Sequence, residues 1–209
     1  MKAKYFMKKC LVPFLFNTLF TFSSLFTQDE IKSLYDSGLK AGSQGKFEVA
    51  GTFFQNALEM DSLYLPAKFN RQVAEDVLSG KLPEAAARSY FLAIQYGQAD
   101  SLEKKIVQLD QALQISPDFG LAYNERAICY ANKSEYDLAI NDYNKAVQLL
   151  PQWPEIYINL ALSCDKSERW EEAKTAYNRF LELAPASYDW YIIYARKRLY
   201  ELQNPDTTR

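Results

Sequence analysis

From Gly120 to Ser187 two blocks of 34 residues run in register without a gap. Tyr123 recurs as Tyr157, Ala127 as Ala161, Ala139 as Ala173, Tyr143 as Tyr177 and Pro151 as Pro185, while Trp170 replaces Tyr136. A fixed period of this length means that one supersecondary unit is repeated and buries its apolar face on its neighbours. Each block carries two helical stripes. In the first block these are Tyr123, Ala127 and Tyr130, then Tyr136, Ala139, Tyr143 and Ala146. In the second they are Tyr157, Leu160, Ala161 and Cys164, then Trp170, Ala173, Tyr177 and Phe180. The alanines lack bulk, so two helix backbones approach closely there, and the rings fill the space around the contact. Phe180, in place of a small residue, predicts a looser last contact. Pro151 and Pro185 stop the second helix of each block, because proline cannot continue a hydrogen-bonded helix.

This spacing of small and aromatic residues resembles the tetratricopeptide repeat, a pair of antiparallel helices per block. The resemblance implies an all-α, right-handed solenoid of about ten helices over residues 28–203. Its repeats fall at about 31–64, 86–119, 120–153 and 154–187. In the first, Leu34, Gly38 and Ala41 form one stripe and Ala50, Phe54 and Ala57 the second, with Gln44-Gly45-Lys46 as the turn. Gly38 stands where Ala127 and Ala161 stand, and Ser62 replaces the closing proline. In the block from Ala86, Lys105 occupies an alanine position.

Residues 65–85 break the period. Pro66 opens a helix carrying Phe69, Val73 and Val77, ended by Ser79-Gly80-Lys81. Two arrangements compete: an unpaired inserted helix, or a pair made with the helix from Pro83 to Tyr96. The insertion is favoured, since residues 86–119 then form a 34-residue block in register with 120–153 and 154–187. A last helix, 188–202, places Tyr191, Tyr194 and Ala195 on one face beside Arg196, Lys197 and Arg198. It is expected to cap the solenoid with a polar side. Residues 204–209 read as a frayed tail.

Residues 1–27 read as an export signal, with Lys2, Lys4, Lys8 and Lys9 ahead of an apolar run from Leu11 to Phe26. The run is interrupted by Asn17, Thr18, Thr21, Ser23 and Ser24, and it is shorter than the roughly 20 apolar residues a membrane span requires. Cleavage and retention as an anchor both remain open. In either case the expectation is an exported protein, periplasmic or extracellular, touching membrane only through this segment. Cys10 precedes the apolar run, which argues against a lipid-bearing cysteine.

Charge and composition narrow the function. The chain has a net charge of −2 and no histidine. It offers no basic surface for nucleic acid and lacks the commonest general base and metal ligand. No spacing points to a metal or a cofactor. Ser-x-x-Lys occurs at Ser37/Lys40, Ser101/Lys104 and Ser163/Lys166, the spacing of some serine acyl-enzymes. None has the accompanying motifs, so a serine–lysine hydrolase is only the alternative. Cys129 and Cys164 are expected to be packed thiols, since neighbouring helix axes lie about 8–10 Å apart.

There remains a non-catalytic scaffold or adaptor for a protein or peptide. In proteins this chain resembles, the first helix of each repeat lines a concave groove in which the partner lies. Residues just off the packing stripes of those helices are Tyr90, Ile94, Asn124, Ile128, Ile158 and Leu162, and these are expected to line it. The branch of the family that grips chaperone C-termini does so with Lys, Arg and Asn. Here the matching positions hold Tyr35, Leu39, Phe91, Leu121 and Glu125, so that activity does not carry over.

Overall fold

The computed structural model describes residues 28–98 and 101–204. Residues 1–27, where the sequence reading places an export signal, and residues 205–209 lie outside the described residues. The described chain is all-α: α1 (Gln28–Ser43), α2 (Phe47–Met60), α3 (Leu65–Leu78), α4 (Glu84–Gln98), α5 (Leu102–Ile115), α6 (Gly120–Asn132), α7 (Tyr136–Leu149), α8 (Pro154–Lys166), α9 (Trp170–Leu183) and α10 (Asp189–Gln203), with a short 3-10 turn at Ala186–Tyr188 before α10. None of these helices is long and apolar enough to cross a membrane. The helices form two compact units, divided between Ala122 and Tyr123 near the start of α6.

In the first unit α1 pairs with α2, and α4 packs against both α5 and α1. Helix α3 packs on α2 and barely meets α4, so it is an added helix on the back of the first pair. Two glycines set the spacing of the core. A Cβ on Gly38 would sit 2.5 Å from the Phe54 ring, and one on Gly42 would sit 2.5 Å from the Phe91 ring. Phe54 and Phe91 are fully buried and stack on each other with centroids 5.9 Å apart. Where the backbone has no side chain, a ring fills the volume. Gln95 then fastens α4 to α1, its amide donating to Leu39 O at 2.8 Å and to Ser43 Oγ at 2.9 Å. Lys105, at an alanine position, is buried because Gly97 opposite makes room for its stem. The aliphatic part of a lysine packs like any apolar chain.

The second unit keeps the period more strictly. Ala127, Ala161, Ala139 and Ala173 are fully buried, with Tyr143 and Tyr177 beside them. Helix α10 continues the register of the first helices: Tyr191 follows Tyr157 by 34 residues, and the buried Ala195 follows Ala161 likewise. Phe180 does not loosen its contact. It is fully buried and stacks on Tyr188 at 6.4 Å, because the 3-10 turn brings that ring over it. All three tryptophans, Trp153, Trp170 and Trp190, lie in this unit.

The turn between the helices of a pair has one solution in three of the pairs. Gly45, Ser134 and Glu168 occupy the same block position, with φ of 81°, 62° and 60°. In each case the next residue donates its N–H five residues back: Lys46 to Ala41 O at 3.0 Å, Glu135 to Tyr130 O and Arg169 to Cys164 O at 2.9 Å. This closes the helix end with a left-handed residue. Glycine adopts that conformation without a Cβ clash, whereas serine and glutamate adopt it at a cost.

Candidate functional site

The first-position helices of the second unit carry the residues of interest. Helix α8 is buried along most of its length; Leu162 and Asp165 are partly open and Lys166 is exposed. These three, with Tyr194, Lys197, Arg198 and Glu201 of α10, line a depression of about 300 Å³. Its wall is an ionic network. Arg198 donates to both oxygens of Asp165, at 2.6 Å from Nε and 2.8 Å from Nη2, and to Glu201 from Nη1 at 2.9 Å. Its guanidinium also lies over the Trp170 ring, 5.8 Å from the centroid. The bonds to Asp165, then those to Glu201, hold the guanidinium above its already high ordinary pKa. Tyr177, whose hydroxyl is pushed up mainly by burial, donates to Asp165 at 3.4 Å. The network fixes α10 against α8 and leaves an apolar floor, Leu162 and Tyr194, between the basic rim residues Lys166 and Lys197.

Of the six residues assigned to an outward-facing groove, four lie in the interior. Tyr90 and Ile94 in the first unit, and Asn124 and Ile158 in the second, are buried; Tyr90 packs on Phe119 at 5.0 Å, and Ile158 belongs to the core of its unit. The reason is that a first-position helix is flanked on two sides, so positions just off the packing stripe are also covered. Ile128 and Leu162, one block apart, stay partly exposed. The groove assignment narrows to these two. Helical spacing does not group Asp165, Tyr194 and Arg198 as a lining set. Near Arg198 in the chain the only acidic residue one turn away is Glu201, so the pairing with Asp165 is visible only in three dimensions.

In two of the three Ser-x-x-Lys pairs the serine is not set against its lysine. Ser163 is buried while Lys166 is exposed, and the Ser37 hydroxyl donates to Ser33 O of its own helix at 2.9 Å. Cys129 and Cys164 are both buried thiols. The Cys164 thiol is pushed up to about 11, mainly by burial and then by Glu172, which keeps it protonated and unreactive at neutral pH. Among the described residues no cluster of three metal-ligating side chains occurs.

Comparison with known proteins agrees with this architecture. Two tetratricopeptide repeat models match residues 120–152 and 154–187. No curated protein sequence matches the chain. Among solved structures, the first tetratricopeptide domain of Spaghetti (RPAP3), bound to an HSP90 peptide, is similar with a TM-score of 0.53 and 21% identity, over 60% of this chain and 95% of that one. The Sgt2 domain from Aspergillus fumigatus gives 0.52 and 17%, over 59% and 84%. The TPR2AB domain of yeast Sti1, in complex with an HSP90 peptide, gives 0.51 and 17%, over 83% and 69%. Identities this low speak to fold alone. Residues 120–187 are tandem tetratricopeptide repeats, and the described chain has the all-α fold of tetratricopeptide-type solenoids.

Proposed function

We propose that the protein is a non-catalytic interaction scaffold that holds a peptide or short helix of a partner protein against the open flank of α6 and α8. The observation that carries this reading is the pair Ile128 and Leu162, apolar residues that stay partly exposed at equivalent positions, one block apart, on the first helices of tandem repeats. Leu162 floors a depression with amines on its rim, so a partner segment with an apolar anchor and a neighbouring acidic side chain suits it. The solved relatives bound to HSP90 peptides support peptide binding as the use of such a fold. The positions that hold Lys, Arg and Asn in chaperone-gripping relatives hold other residues here, and Tyr35, Leu39, Phe91 and Leu121 are buried, so the same peptide is not the expected ligand.

The test is selection of binders from a random peptide library displayed on phage, followed by affinity measurement on single variants. Leu162→Asp and Ile128→Asp are each expected to abolish binding of the selected peptides with helical content and melting temperature nearly unchanged. Undiminished binding by both variants, or unfolding of both, overturns the reading. The basic, apolar leader further suggests an exported protein acting in the cell envelope or outside it. Fractionation with N-terminal sequencing decides this: a cytosolic chain that still begins at Met1 contradicts it.

A further inference from the structure

Helix α10 stands where the first helix of another repeat would stand, and it exposes the face that α8 covers. Trp190, Ile193 and Lys197 lie 34 residues after Ile156, Asn159 and Ser163. In α8 those three are 1%, 4% and 3% exposed; Trp190 and Ile193 are 62% and 67% exposed, and the Lys197 side chain is open as well. Tyr200, also exposed, extends the row. Positions 190, 193, 197 and 200 alternate by three and four residues, which is the seam along which one helix packs on another. The expected polar cap is therefore absent: the terminal helix turns a tryptophan, an isoleucine and a tyrosine to solvent, because no second helix follows among the described residues.

The flanking charges indicate what covers this seam. Every other described arginine in the second unit is paired with a carboxylate: Arg126 with Asp142, Arg169 with Asp137, Arg179 with Glu182 and Arg198 with Asp165. Among the described residues Arg196 has no such partner, and neither does Asp189 at the opposite end of the seam. Two α10 helices laid antiparallel about a twofold axis near Ile193 bring the Asp189 turn of each beside the Arg196–Lys197 turn of the other. The two Ile193 side chains then meet at the axis, with Trp190 of each copy against the partner helix. The same surface serves both sides, as a twofold interface requires.

We infer that α10 is a homodimerisation helix, a second copy laying its own α10 antiparallel along the exposed seam. One helix pair buries less than the roughly 1,200–2,000 Å² of a standard interface, so association is weak. This surface borders the Leu162 depression at Lys197, but Leu162 itself lies on α8 outside the seam, and Leu162→Asp leaves the seam residues intact.

The experiment is sedimentation equilibrium of the full chain from about 1 to 300 μM, a range chosen to span a weak interface. A monomer–dimer equilibrium is expected, and Ile193→Asp, at an exposed position that leaves the fold unchanged, is expected to weaken it on the order of 30-fold, as loss of a central contact does. Asp189→Arg and Arg196→Asp should each weaken it, and the double variant should recover most of the loss. Ile193→Cys should form an intermolecular disulfide under mild oxidation. A monomer at every concentration overturns the inference, as when the seam belongs to a helix of another protein. A dimer indifferent to Ile193→Asp also overturns it and assigns association elsewhere, and so does failure of the charge swap to restore what the single reversals remove.

Discussion

The two units solve one packing problem with different residues. At the tightest helix crossing of the first unit stands Gly38 against Phe54; at the equivalent crossings of the second stand Ala127 beside Tyr143 and Ala161 beside Tyr177. The second unit carries a methyl group and a phenolic oxygen more at each equivalent pair. The first unit gains an all-carbon stack of Phe54 on Phe91. The second gains helix propensity at alanine and, at Tyr177, a hydroxyl that reaches Asp165, while the Tyr143 hydroxyl is buried without a hydrogen-bond partner among the described residues. Charge follows the same division. The arginine–carboxylate bridges that tie separate helices together, Arg126–Asp142, Arg169–Asp137 and Arg198–Asp165, lie in the second unit, whereas α4 is fastened to α1 by the neutral amide of Gln95. Equivalent positions of the repeat thus tolerate different side-chain volume and polarity.

Exchanging the small residues gives the largest expected difference. Gly42→Ala should destabilise by about 1–3 kcal/mol, since the new methyl meets the base of a fully buried ring that has nowhere to turn. Gly38→Ala should behave alike. In the second unit the opposite substitution is the harmful one: Ala161→Gly should cost about 1 kcal/mol in helix propensity alone. Urea titration of each variant checks the signs; a stabilising Gly42→Ala removes the contrast.

Alkaline pH is expected to act chiefly on the second unit. Burial raises the Cys164 thiol to about 11 and the Tyr143, Tyr177 and Tyr188 hydroxyls above their ordinary values. A group whose folded pKa is raised contributes its stability fully below its unfolded pKa and loses it as pH rises toward the folded one. The Cys164 contribution should therefore fade between pH 9 and 11, and the tyrosine contributions above pH 10. Melting temperatures followed through this range should fall, and Cys164→Ala should flatten the first part of the decline.

The smallest effect lies in the turns. Glu168→Gly and Ser134→Gly should each stabilise by about 0.5–1 kcal/mol, because φ near 60° burdens a side chain that glycine lacks. Gly45→Ala should do the reverse. Denaturant midpoints are sufficient to rank the three, and equal midpoints would show that the turn carries no strain.

Much of this architecture is legible in the residues. The period places the turns at Gly45, Ser134 and Glu168, and the break at Pro66 marks α3. The site is less legible, for a physical reason. Helical spacing identifies apolar residues that will be covered, but Ile158 and Leu162 are equally apolar, and only the neighbouring helices decide that one is buried and the other partly open. Trp190 and Ile193 mislead in the opposite sense. Their pattern is that of an inward face, and among the described residues no helix covers them. The Arg198–Asp165 pair spans 33 residues, far beyond the range at which charge spacing along one helix is informative.

The distribution of tryptophan turns the protein into its own two-channel instrument. Trp153, Trp170 and Trp190 all lie beyond residue 122, and Trp170 sits under the guanidinium of Arg198. Indole emission therefore reports on the second unit alone, while far-ultraviolet ellipticity counts helix in both. Superimposed denaturation curves from the two signals mean that the units melt as one cooperative body; separated curves give the stability of each without any labelling.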